Sequence, residues 1–71
     1  MLSADARRVV RAAFRDRRYV VRDDLLARAR AAGLEHRQLE VFSELPAGRL
    51  DEIEVLRALT GADHRRAVVG G

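Results

Sequence analysis

Apolar residues recur at helical spacing in four stretches of this chain, and each stretch carries its own start or stop signal. In the first, Ala6, Val9, Val10, Ala13 and Phe14 lie three and four residues apart. At about 100° per residue they share one face. Ser3 stands where an N-cap is needed, because its hydroxyl can accept from an orphan backbone N–H. No glycine or proline follows until well beyond Arg18, so the pattern predicts a first helix over 4–17. Tyr19-Val20-Val21 is aromatic and β-branched and prefers extended backbone. It is too short for a sheet of its own, and is expected to be a connector with inward-packing side chains, at most a short bridge.

The second helix is expected over 23–32. Asp23 and Asp24 suit the positive end of its dipole, and Leu25, Leu26, Ala29 and Ala32 form its apolar face. Gly33 is a natural C′ residue, with Leu34 as the apolar contact after it. A third helix is expected over 36–45, with Leu39, Phe42 and Leu45 in line and Val41 nearby; Pro46 disfavours helix at the residue before it. Pro46-Ala47-Gly48-Arg49 reads as a turn. The fourth helix is expected over 51–60. Asp51 and Glu54 form a near capping box, Leu50 precedes it as a staple, and Ile53, Val55, Leu56 and Leu59 carry its apolar positions. Gly61 is read as its end.

The fold class is therefore all-α: a small bundle of about four short helices. Residues 1–61 are expected to form a single helical domain, and residues 62–71, which lack clear periodicity, a flexible tail. The expected core is Val10, Phe14, Leu25, Ala29, Leu39, Phe42, Leu45, Val55, Leu56 and Leu59.

The 71 residues allow one small domain and no large cleft. There is no cysteine, which excludes disulfides and thiolate chemistry. No segment has the apolar core of a signal peptide or the length of a membrane span, so a cytoplasmic protein with no membrane role is expected. All 14 basic residues are arginine, and alanine fills 12 positions, a bias typical of GC-rich coding. Arginine content alone is thus weak evidence for nucleic acid. Its distribution says more. Residues 1–30 hold nine arginines against four aspartates, whereas residues 31–60 hold three arginines against six acids.

The pieces Tyr19-Val20-Val21-Arg22-Asp23-Asp24-Leu25-Leu26 and Ala29-Arg30-Ala31-Ala32-Gly33 are followed by Leu39 through Leu45-Pro46. Val55-Leu56-Arg57-Ala58-Leu59-Thr60-Gly61 completes the series. In this order, residues 19–61 resemble a small domain family of unknown function from high-GC bacteria. The resemblance implies an architecture of short helices joined by tight turns. It brings no activity or catalytic residue with it.

Catalytic chemistry finds little material. His36 and His64 lack a second histidine at helical ligand spacing, and His36 with Glu40 reads as a solvated i, i+4 pair. Ser3, Ser43 and Thr60 have no nearby base, and the glycines punctuate helices without forming a phosphate loop. No enzyme activity, cofactor, metal or small-molecule substrate is expected. Ala29, Gly33 and Leu39 do fit the spacing of a helix-turn-helix corner. Its reading helix would present Glu35, His36, Arg37, Gln38, Glu40, Ser43 and Glu44, a mostly acidic surface that repels a polyanion. Terminal Gly70-Gly71 invites comparison with diglycine-tailed modifiers, but the chain lacks their β-rich pattern.

What remains is a binding surface. Arg7, Arg8, Arg11, Arg15 and Arg18 gather beside the apolar strip of Val9, Val10 and Phe14. An apolar centre with arginine is an enriched composition at interfaces. The expected partner-binding residues are Arg7, Arg8, Arg11, Phe14, Arg15 and Arg18. The first reading is a non-enzymatic interaction module, a regulatory or accessory subunit that binds a protein partner or forms a homodimer. In a homodimer, Glu40, Glu44, Glu52 and Glu54 are candidates to face the arginines. The alternative is a nucleic-acid-binding protein that uses the arginine stripe or the helix-turn-helix-like corner.

Overall fold

The computed structural model describes residues 2–69, with side-chain surroundings as far as Arg66. Its elements run α1 (Ala4–Ala13), β1 (Val20–Val21), α2 (Arg22–Ala31), α3 (His36–Ser43), β2 (Arg49–Leu50) and α4 (Glu52–Val69). The four helices enclose one core, and the two short strands pair antiparallel beside it, Val20 with Leu50 and Val21 with Arg49. The expected all-α class is what the chain adopts, with the bridge near Tyr19 present as this strand pair.

The local signals act as physical chemistry predicts. The Ser3 hydroxyl accepts from the Ala6 N–H at 3.1 Å and starts α1. The Glu54 N–H donates to Asp51 Oδ1 at 2.8 Å, and the Asp51 N–H donates to Glu54 Oε1 at 3.3 Å, which closes the capping box of α4. Gly33 takes φ +75°. Its N–H donates to the Arg30 carbonyl at 3.0 Å, while the Leu34 N–H reaches the Ala29 carbonyl at 3.2 Å. That pair of bonds ends α2 in a Schellman motif, with Leu34 packed against the core as its apolar closure.

Phe42, Leu25, Leu45, Leu59, Val10, Val41 and Val55 are the largest fully buried side chains. Of the expected core, Phe14, Leu39 and Leu56 are half-buried at its edge. Leu2, Ala6, Val9, Ala13, Val20, Leu50 and Ala62 are buried as well. Arg22, at the junction of β1 and α2, donates from its guanidinium to the Leu45 carbonyl at 3.3 Å and ties that junction to the end of α3.

Two helix boundaries differ from expectation by more than two residues; the others lie within two, α3 ending at Ser43 where residue 45 is expected. α1 stops at Ala13, not near residue 17. Phe14 is its C-cap, and the Arg15 and Arg17 N–H groups make short turn bonds to Ala12 and Phe14. Pairing of Val20 with Leu50 draws the chain off the α1 axis, so tertiary contact overrides an uninterrupted helical sequence. At the other end, Gly61 does not terminate α4, and residues 62–69 are helical where a flexible tail is expected. Ala62 is buried in the core, and that apolar burial favours continued helix over the glycine's loss of backbone entropy. Gly70-Gly71 lies outside the described residues.

A helix that passes through Gly61 has a measurable signature. Among the described residues, a Cβ added there meets only the far end of the Arg65 side chain, at 3.4 Å. Gly61→Ala should therefore raise stability by about 0.5–1 kcal/mol. A denaturant midpoint that moves down instead would contradict a helical residue 61.

Candidate functional site: an arginine–aromatic surface

The early end of α1 divides the expected arginine stripe. Arg7, Arg8 and Arg11 are exposed on the helix, while Arg15 and Arg18 sit in the connection after it, with Arg17 between them. Arg8 lies 3.5 Å from Asp5 in a well-exposed pair. Arg7, Arg11 and Arg15 make no ion pair among the described residues. The apolar strip beside them belongs to the protein's own core. Val9 and Val10 are 6% and 0% exposed, so both serve mainly the core. Phe14 remains half-exposed.

The apolar surface left open comes from other segments. Tyr19 is 47% exposed, Val21 43% and Ile53 63%. Extended backbone turns successive side chains to opposite faces. Val20 therefore enters the core while Tyr19 and Val21 face outward, against the expectation that this whole segment packs inward. Ile53 is expected on the apolar face of its helix and is not buried there. It precedes Val55 by two residues, which places it about 160° around the helix from that buried position.

Of these, Ile53 meets the connection after α1 near the start of α4. Phe14, Arg17, Arg18, Asp51, Glu52 and Ile53 line an open hollow of about 340 Å³. Next to Arg18 in sequence, the Tyr19 ring lies under two guanidinium groups, 6.0 Å from Arg18 and 5.6 Å from Arg49. Such contacts orient long side chains that would otherwise be mobile. Arg17 donates to Asp24 at 3.2 Å. Asp51 is committed to its capping box. Arg18 and Glu52 line the same hollow, yet neither makes an ion pair within the chain among the described residues.

A larger hollow, about 410 Å³, lies between α1 and α2. Its walls include Val9, Ala12, Ala31 and Ala32, and the arginines at its rim are engaged, Arg8 by Asp5 and Arg28 by Asp24 at 3.3 Å. It offers small side chains and charges already paired within the chain.

The helix-turn-helix-like corner of α2 and α3 forms, and two acids, one on α3 and one at its C-cap, are engaged by α4. Arg66 of α4 donates to Glu40 and to Glu44, each at 2.7 Å. His36 Nε2 lies 2.8 Å from Glu40, the expected i, i+4 pair. Glu40 and Glu44 are thus satisfied internally, and Glu54 serves the α4 cap. Of the four acids expected to face the arginines across an interface, Glu52 alone has no such engagement among the described residues.

Among the described residues, no group of three or more His, Asp or Glu side chains is arranged to hold a metal ion, and no helix is long and apolar enough to cross a membrane. Sequence reasoning finds Phe14 and Arg18 of this surface. Glu52 is read from the sequence as an acid facing the arginines; Tyr19, Arg49 and Ile53 are not read as part of the patch, although the period-two exposure of an extended segment and the angular offset of Ile53 both carry the signal. No protein-family model, curated protein or solved structure matches this chain.

Proposed function

We propose that this protein is a non-enzymatic interaction module of the cytoplasm, an accessory or regulatory subunit that binds protein through the surface around Phe14, Tyr19 and Ile53. The observation that carries this reading is Ile53: a large aliphatic side chain, 63% exposed, beside a half-exposed phenylalanine and two arginines, Arg17 and Arg18. Aromatic residues and arginine are enriched at protein interfaces, and exposed apolar clusters rimmed by polar groups mark such contacts.

A second reading rests on a different observation. Arg7, Arg11 and Arg15 recur every four residues and make no ion pair among the described residues, an arrangement suited to phosphates.

One capture experiment from cells of the source organism, with protein and nucleic acid both counted, separates the two. Under the first reading, protein is retained by the wild type and lost with Ile53→Asp, while far-UV helicity stays the same. Retention unaffected by Ile53→Asp removes that surface from the function. Under the second reading, nucleic acid is retained, weakens steeply with salt, and is lost when Arg7, Arg11 and Arg15 become glutamate.

A further inference from the structure

The hollow beside Ile53 has two unlike walls. Arg17 and Arg18, from the connection after α1, form a basic wall; Asp51 and Glu52, at the start of α4, form an acidic one. Phe14 and Ile53 supply its apolar lining. A patch that carries both signs of charge on either side of an apolar centre is complementary to itself. Isologous dimers need this property, because in them the same surface of each copy meets the other across a two-fold axis.

The individual groups differ in how far they are already engaged. On the basic wall Arg17 is held by Asp24, whereas Arg18 has, among the described residues, only its contact with the Tyr19 ring. On the acidic wall Asp51 caps α4, and Glu52 has no partner among the described residues. Within that described part of the chain, a cation and an anion without ion-pair partners therefore line one hollow and do not pair with each other. A ligand that is simply acidic would leave Glu52 opposed by like charge, and a simply basic one would do the same to Arg18. A second copy of this chain satisfies both.

We infer that the occupant of this surface is a second copy of the protein, related by a two-fold axis beside Ile53. The two Ile53 side chains pack against each other over the adjoining hollows. Arg18 of each protomer meets Glu52 of the other, so the pair occurs twice. Tyr19, held between arginines at the edge, extends the contact. This deepens the interaction-module reading above by naming the partner, and it rests on that reading.

The test uses the full chain and sedimentation equilibrium over a range of concentrations. The wild type should reach twice its 8.0 kDa chain mass as concentration rises. Arg18→Glu alone and Glu52→Arg alone each place like charges opposite one another twice, and each should weaken self-association about tenfold or more. Mixing those two single variants restores opposite charges in a heterodimer. In one pair the introduced glutamate faces the introduced arginine, and in the other the native Arg18 faces the native Glu52. The mixture should therefore recover the dimer mass that neither variant reaches alone. Arg18 is exposed and Glu52 half-buried at the first turn of α4, and far-UV helicity should be unchanged throughout. A wild type that stays at 8.0 kDa at every concentration overturns the dimer. So does a mixture that remains monomeric when each single variant has lost its dimer. Loss of a captured protein with Ile53→Asp in a chain that stays monomeric would sink the second copy as occupant while leaving the interaction surface itself in place.

Discussion

Phe42→Ala should lower the unfolding free energy by about 3–5 kcal/mol, the usual cost of removing a buried phenylalanine and leaving a cavity. Phe42 is fully buried and is the largest of the completely enclosed side chains. It lies on α3, which packs against both α2 and α4, so three helices would border the void. A domain of this size has total stability on the order of 4–10 kcal/mol, and the substitution would consume a large part of it. The melting temperature should fall by more than about 10 °C. Thermal unfolding followed by circular dichroism reads this directly. An unshifted transition would mean that the core has been placed around the wrong residues.

Deleting residues 62–71 should cost about 2 kcal/mol, although these residues read from sequence as a flexible tail. Ala62 is 2% exposed, and its methyl group contributes about 1 kcal/mol of apolar burial. Arg66 bonds both Glu40 and Glu44, but all three side chains are one-third to two-fifths exposed, so those pairs add well under 1 kcal/mol each. The last turns of α4 add their own backbone bonds. Two variants separate the contributions. Arg66→Ala alone should shift the denaturant midpoint slightly, and the deletion should shift it several times further. Equal stability of the deleted and complete chains would show that α4 ends its useful packing at Gly61.

The contrast between these two predictions marks what the sequence discloses. Phe42 is legible because helical periodicity places it with Leu39 and Leu45 on one face. The caps are equally legible: Ser3, the Asp51–Glu54 box and the Gly33–Leu34 closure all act within a few residues of themselves. The end of α1 is not, because it is set by Val20 meeting Leu50, far along the chain. The extent of α4 is hidden for the same reason, since Glu40 and Glu44 lie several helical turns and a strand away from Arg66 in sequence. The candidate site shares that difficulty. Its arginines and Phe14 come from one segment and can be grouped together by inspection. Arg49, Glu52 and Ile53 join them only when the strand pair brings the start of α4 against the connection after α1.

That strand pair also bears on how the chain reaches its fold. Val20 and Leu50 bracket α2, its Schellman turn and α3 entirely. Closing a disordered loop of that length costs conformational entropy before any pairing is gained. The α2–α3 hairpin is built from near-neighbour contacts and a tight glycine turn, so it can form without such a closure. Once formed, it replaces most of the intervening disordered chain with a rigid unit and shortens the loop that remains. The topology thus favours an order of assembly, hairpin first and strand latch second, and the latch then fixes where α1 ends and α4 begins.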